Sequence, residues 1–240
     1  MRQIRLFTRQ PLAANTSVTL ESEPAHHLVR VLRARVGDTV VLFNGEGLDW
    51  QCQLTQADKR HVIVHIVQCV PSTPESPLHT HLGLSVSKGE RFDWAVQKAT
   101  ELGVAEITPL LSERVDVKLP GERLAKKLGH WQQVAIAACE QCGRGHIPRI
   151  NTPMALKDWV ELVQADVKLV LHHHQIAPLP SATPTCIALL VGPEGGLTEA
   201  EVEAACVQGF QRFRMGPRVL RTETAPLVAL AILGNHWGDL

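Results

Sequence analysis

The 240-residue chain contains no tyrosine, and only 4% of its residues are aromatic. That scarcity argues against a broad platform of rings for stacking bases, as RRM-type domains use. Its 24 Lys and Arg balance 24 Asp and Glu, so the formal net charge is zero. Affinity for a polyanion would therefore have to come from local patches. No stretch reaches the roughly 18 apolar residues that a membrane-spanning helix needs, so no membrane partner is expected. The opening Met1-Arg2-Gln3-Ile4-Arg5-Leu6-Phe7 lacks the apolar core of a secretory signal. Six cysteines are scattered at 52, 69, 139, 142, 186 and 206, which suits reduced thiols and a cytoplasmic location better than a disulfide framework. Cys139-x-x-Cys142, His79-x-His81 and His172-His173-His174 raise the question of a metal. A zinc ribbon would need a second paired set at suitable spacing, and none is present, so no metal is expected.

What is there is concentrated near the C-terminus. Cys186 to Val191 reads as a short buried strand, and Gly192-Pro193-Glu194-Gly195-Gly196 turns the chain sharply. Thr198, with Glu201 three places on, has the pattern of a helix capping box. Strand, glycine turn and helix in this order place ligands at the carboxyl end of an open parallel sheet. Taken alone, such a turn is as often a plain β–α connection. A second instance follows, however. Phe210 to Met215 reads as a strand, Gly216-Pro217 breaks it, and Leu227 to Leu233 reads as a helix apolar nearly all round. Arg212, Arg214, Arg218 and Arg221 fall within ten residues that hold no acid. They are either a solvated basic face or a set of guanidinium groups suited to phosphate.

The organisation is bipartite. Pro71 to Pro77 holds three prolines and predicts an extended linker. Residues 1–72 are strand-rich, with runs at 39–43, 48–54 and 61–67, a turn at Asn44-Gly45-Glu46-Gly47, and a short helix at 26–33. This predicts a small β-barrel. Its first 35 residues carry six arginines (2, 5, 9, 30, 33, 35) against Glu21 and Glu23. Residues 73–240 alternate strands and helices, the texture of an α/β fold. Strands are expected at 79–86 and 167–171. Helices are expected from Phe92 to Gly103, from Leu124 to Ala138, and from Thr152-Pro153 with Leu156, Trp159, Val160 and Val163 as its buried stripe.

Val191 to Gly196, together with Met215-Gly216-Pro217-Arg218-Val219-Leu220-Arg221-Thr222-Glu223-Thr224-Ala225, resembles the knotted SPOUT-type RNA methyltransferases. More narrowly, the chain is similar to the RsmE family, which methylates uridine N3 in 16S ribosomal RNA of the bacterial small subunit. Lys88-Gly89-Glu90-Arg91, Gln97 to Val104, Ser112-Glu113-Arg114, Ala138 to Arg144, Arg5-Leu6-Phe7 and His26 to Arg33 extend the resemblance over nearly the whole length. Cys142 stands where the family has a small hydroxyl residue, so essential chemistry is not expected there.

The resemblance implies a PUA-like RNA-binding β-barrel followed by a SPOUT α/β domain with a trefoil knot, a homodimer, and S-adenosylmethionine as methyl donor. It implies a cofactor site at Leu171, Leu190, Val191, Gly192, Gly195, Gly196, Met215, Gly216, Val219 and Leu220, so that Gly195→Val should fill cofactor space. It favours Glu223 as the carboxylate near the methyl, with Arg221 steadying the uridine anion. The other reading is that Glu223 caps the last helix or pairs with Arg221. Glu194 is expected to organise its own loop. RNA contacts are implied at Arg5, Arg9, His27, Arg30, Arg33, Lys88, Arg114, Gln141 and Arg144. Two alternatives stay open: an RNA-binding or ribosome-assembly factor without cofactor use, and a related knotted enzyme that methylates another RNA.

Overall fold

The computed structural model describes residues 3–58, 61–115, 121–172, 179 and 183–240, with residues 121 and 122 by backbone only. Arg2, His173 and His174 lie outside the described residues. The chain divides into two compact units, Met1–Glu75 with Cys139–Ile147, and Ser76–Ala138 with Pro148–Leu240.

The first unit is built on β1 (Ile4–Phe7), β2 (Ser17–Thr19), β3 (Thr39–Phe43), β4 (Leu48–Ala57) and β5 (Val62–Pro71), in the order β1-β3-β4-β5-β2. Among the described residues no ladder joins β1 to β2, so hydrogen bonding gives a five-stranded sheet rather than a closed barrel. β1 and β3 run parallel and the other pairs antiparallel. Period-two alternation sends Val62, Val64 and Ile66 of β5, and Trp50, Cys52 and Leu54 of β4, into one core with Leu6, Leu28 and Leu42. Each such side chain, fully buried, contributes about 1.5–3 kcal/mol. The helix expected at 26–33 is instead a short helix α1 (Ser22–His26) running into a π-helical turn at His27–Val31. The proline-rich linker is not loose. Ser72 donates to the Gly47 carbonyl oxygen through both its amide and its hydroxyl, Thr73 bridges to Arg144, and Glu75 pairs with the Arg144 guanidinium.

The second unit is a parallel sheet of β6 (His79–Ser85), β7 (Glu106–Leu111), β8 (Arg149–Ile150), β9 (Met154–Ala155), β10 (Val167–Leu171), β11 (Cys186–Val191) and β12 (Gln211–Phe213). The order is β12-β10-β11-β6-β7-β8, with β9 also on β7. Its helices are α2 (Arg91–Glu101), α3 (Gly121–Cys142), α4 (Leu156–Leu162), α5 (Glu199–Val207) and α6 (Ala225–Trp237). β11 is buried from Ile187 to Val191 because strands pair both its edges and helices cover it, α4 and α5 packing on Ala188 and Leu190, which is why it reads as an unbroken apolar run. Gly103, at φ +82°, follows the end of α2 as expected. The helix expected from Thr152-Pro153 begins only at Leu156, because Met154 and Ala155 pair with Leu110 and Leu111 of β7. The expected buried stripe is nonetheless present: Leu156, Trp159, Val160 and Val163 lie in the core with Leu190 and Phe210.

Candidate active site

Three parallel strands end together. Leu171 and His172 leave β10, Val191 and Gly192 leave β11, and Phe213 to Gly216 leave β12; all of these residues line one cavity of about 440 Å³. The site is therefore at the carboxyl ends of the strands, where open α/β sheets bind ligands, and it has the size of a small-molecule pocket.

Two loops form its walls. The first runs from Gly192 to Leu197. A Cβ on Gly192 would stand 2.8 Å from Leu197 Cγ, so the turn closes only on a bare Cα, and Gly196 sits at φ +71°. Thr198 completes the capping box with Glu201, which fixes where α5 begins. Glu194 accepts from the Lys88 amide at 3.3 Å and from Arg91 Nη1 at 2.9 Å. Burial raises its carboxyl, but its own backbone amide, Arg91 and Lys88 together outweigh that and hold it below the usual carboxylate range. Arg114 Nη1 donates to the Gly195 carbonyl oxygen at 2.8 Å, and the Glu113 amide donates to Glu201 at 2.8 Å. Glu194 therefore does organise its loop, through residues about a hundred positions away.

The second loop runs from Arg214 to Thr222. Arg214 Nε donates to the Gly216 carbonyl oxygen at 2.8 Å. The buried Thr222 donates its hydroxyl to the Gly192 carbonyl oxygen at 2.7 Å, which ties the second loop to the first. Arg218, Arg221 and Glu223 lie on the cavity wall. Among the described residues Glu223 makes no cap hydrogen bond and no ion pair with Arg221, and the side chain of Thr224 leaves α6 uncapped. Arg212 belongs to a different group: it pairs with Glu199 at 2.8 Å and with Glu203, so the four arginines do not act as one set.

Eight of the ten residues expected around the cofactor line the cavity: Leu171, Val191, Gly192, Gly196, Met215, Gly216, Val219 and Leu220. Val219 is 78% exposed and stands at the mouth rather than in a buried wall. Leu190 and Gly195 are not among the lining residues. Leu190 is fully buried in the core behind them, as the alternation of β11 requires, and a Cβ on Gly195 would face Arg114, 3.5 Å from its Cβ and Cδ. The sequence reading gave no pocket role to Thr222, Arg91 or His172. Thr222 lies inside a quoted motif, but its partner is 30 residues away. Arg91 also lies inside a quoted motif, but its partner Glu194 is 103 residues away. His172 stood out only as part of a histidine run.

The expected RNA contacts divide by burial. Arg9, Arg30, Arg33 and Gln141 of the first unit, and Lys88 and Arg114 of the second, are exposed, while His27 is half-buried. Arg5 and Arg144 are internal. Arg5 forks onto Asp49 at 2.8 Å, donates to the carbonyl oxygens of Cys139 and Arg144, and lies 3.7 Å above the Phe43 ring. Arg144 is 7% exposed and binds Glu75. Each is engaged by a carboxylate inside the first unit, Asp49 for Arg5 and Glu75 for Arg144. No group of three or more His, Cys, Asp or Glu among the described residues is placed to hold a metal. Burial pushes the Cys139 thiol up to about 12, far from a ready thiolate.

A family profile described as an RNA methyltransferase domain matches residues 74–234, and one described as an RNA methyltransferase PUA domain matches residues 20–67. The chain is 33% identical to the ribosomal RNA small subunit methyltransferase E of Buchnera aphidicola, over 98% of this chain and 94% of that one. It belongs to the RsmE family of RNA methyltransferases. The RsmE protein of Bacillus subtilis is 31% identical over 95% of this chain and 93% of its own. Among solved structures, a methyltransferase from Legionella pneumophila in complex with SAM superposes with a TM-score of 0.97 at 38% identity, and the RsmE of Neisseria gonorrhoeae bound to S-adenosylmethionine with 0.93 at 36%; each covers 100% of both chains. In this chain the PUA-type segment comes first and the methyltransferase domain second, and the cavity lies in the latter.

Proposed function

We propose that this chain transfers a methyl group from S-adenosylmethionine to uridine N3 of 16S ribosomal RNA in the small ribosomal subunit. The observation that carries the reading is the pair of loops, tied by Thr222 to Gly192, that encloses a cavity with Arg221 and Glu223 on its wall. The cavity fits the cofactor. Leu171, Met215 and Leu220 offer an apolar surface for adenine, the bare Cα atoms of Gly196 and Gly216 admit close approach, and Glu194 and Glu223 are acidic partners for a cationic centre.

Bound there, S-adenosylmethionine supplies an electrophilic methyl on a sulfonium. The chain's own residues have two tasks. They hold the uridine in attacking geometry, which replaces a bimolecular encounter, and they remove the N3 proton. Glu223 accepts that proton on its carboxylate, and Arg221 stabilises the negative charge that develops on the base. Arg9, His27, Arg30, Arg33, Lys88, Arg114 and Gln141 position the RNA, chiefly through phosphates.

A trefoil knot belongs to this reading. Its support is the path of the chain after β12: from the outer edge of the sheet it returns past β10 to Gly192 at the end of β11 before α6 begins. A division at residues 1–72 and 73–240, a cytoplasmic location and a homodimer complete the reading. The homodimer draws support from α6, where Ile232 is 37% exposed beside the half-buried Leu227, Val228 and Ala231. No helix among the described residues is long and apolar enough to cross a membrane.

Calorimetric titration with S-adenosylmethionine, followed by an assay of uridine methylation on small ribosomal subunits, tests the proposal. Micromolar binding and N3-methyluridine in the product are expected. Binding without methylation of any uridine would remove the assigned substrate.

A further inference from the structure

The first unit carries an unusual surface between Leu28 and Ala34 and just beyond. Leu28 is fully buried and Ala34 is 8% exposed, so both ends are anchored in the core. Between and after them Val31 is 60% exposed, Leu32 41% and Val36 61%. These are three of the eleven large apolar side chains exposed among the described residues, and they fall within six positions. A single exposed aliphatic needs no explanation; a cluster of this kind marks a contact surface.

The same segment is basic. Arg30, Arg33 and Arg35 are exposed, and no acid lies between Glu23 and Asp38. Among the described residues none of these three guanidinium groups has a hydrogen-bond or ion-pair partner, whereas Arg5 and Arg144 in the same unit are fully engaged. In a chain of zero net charge this is a local cationic strip suited to phosphates.

The backbone is irregular at the same place. His27–Val31 is π-helical, and Arg33 is one of two non-glycine residues with positive φ among the described residues, at +55°. Both irregularities cost conformational energy, and both recur where side chains are aimed for a function. The first unit also has no fully exposed phenylalanine, tryptophan or tyrosine ring to offer a base. Its three Phe and Trp residues are the buried Phe43 and Trp50 and the half-buried Phe7, and the chain has no tyrosine. Contact with the face of an unstacked base must therefore come from a guanidinium plane, an imidazole such as the exposed His26, or aliphatic carbon, and in this segment exposed aliphatic carbon is what the fold clusters.

We propose that Val31, Leu32 and Val36 form an apolar wedge against an unpaired base of the RNA, while Arg30, Arg33 and Arg35 hold the flanking phosphates. Aliphatic side chains placed between base steps, with cationic groups beside them, are an established way to read an opened nucleic-acid helix. The wedge selects RNA with an unpaired nucleotide over a continuous duplex, whose stacked bases offer it no face. The proposal rests on the reading of this chain as an RNA methyltransferase and adds to it what the first unit recognises.

The experiment uses the full-length protein and a short RNA hairpin with one 2-aminopurine in an unpaired bulge, set against the same hairpin fully paired. Affinity is measured over a range of salt, together with 2-aminopurine fluorescence. Wild type is expected to prefer the bulged hairpin and to raise its fluorescence. Val31→Ser with Leu32→Ser should weaken that binding roughly tenfold, abolish the fluorescence rise and leave the salt slope unchanged. Arg30→Ala should keep the rise and lower the salt slope by about one contact's worth. Val36→Ser, made alone, guards against a folding defect in the double variant. Bulge binding and fluorescence at wild-type levels in the double variant would overturn the wedge and leave the enzyme reading intact. Loss of self-association in that variant, with RNA binding unchanged, would assign the patch to a second copy of the chain and overturn it too. Failure of wild type to bind either hairpin would sink the RNA reading itself.

Discussion

The hydroxyl of Thr222 donates to the carbonyl oxygen of Gly192 at 2.7 Å, across 30 residues, with the threonine 8% exposed. This bond joins the loop after β12 to the loop after β11, and both loops line the cavity. An unmatched buried carbonyl costs about 1–3 kcal/mol. Thr222→Val should therefore weaken S-adenosylmethionine binding about tenfold, and Thr222→Ser should restore most of it. Calorimetry on the two variants decides the matter; equal affinities in both would show that the loops do not depend on this bond.

The glycines of the first loop are predicted to be unequal. Gly192→Val places carbon 2.8 Å from Leu197 Cγ, next to backbone that cannot yield, and should abolish cofactor binding. Gly195→Val meets only the flexible Arg114 side chain, at 3.5 Å, and should bind close to wild type. This prediction is opposite to the expectation from sequence that Gly195 borders the cofactor. Loss of binding in the Gly195 variant alone would contradict it.

Glu223 lies on the cavity wall without an ion pair or a capping bond among the described residues. Glu223→Gln should lower kcat by about a hundredfold or more, within the usual range for a general base, with a much smaller fall in cofactor affinity. A fall in melting temperature at full activity would make the residue structural instead.

Arg5 and Arg9 separate stability from binding. Arg5→Ala leaves Asp49, whose side chain is 18% exposed, without its partner and should destabilise the first unit by about 3–5 kcal/mol. Arg9→Ala, at an exposed site, should leave the melting temperature unchanged and weaken RNA binding alone. Denaturant melts of both variants test the contrast.

His81 should make stability depend on pH. Its Nε2 accepts from Trp159 Nε1 at 3.2 Å and lies 2.7 Å from Thr108 Oγ1, so protonation there breaks a buried bond. Burial lowers its pKa from the usual 6.5 and outweighs the opposing pull of Glu106. The unfolded chain therefore binds more protons than the folded one below about pH 6.5. Stability is full above that pH and declines as pH falls through 6.5 toward the depressed folded value. Melting temperatures between pH 8 and 5 should drop more steeply for wild type than for His81→Gln; parallel curves would show that another group sets the acid limb.

Much of the second unit was legible because its signals are contiguous. The strand Cys186–Val191, the capping box at Thr198 and Glu201, the helix ending before Gly103, and the buried stripe of α4 are each encoded within a dozen neighbouring residues. Hydrophobic period, glycine conformation and capping chemistry act over that range, so the sequence by itself determined them. The same holds for the α/β texture of the second unit, whereas the eight expected cofactor residues that line the cavity were implied by the family resemblance.

Only the tertiary structure decided the rest. Met154 and Ala155 became strand because β7 offered unpaired backbone groups, which outweighed a local helix start. Arg5 became internal because the Cys139 carbonyl, 134 residues away, came within 2.7 Å of it. Arg30 has the same side chain and remained in solvent. An arginine's role depends on which carboxylates and carbonyls the fold delivers to it, and those partners lie beyond the reach of any local pattern.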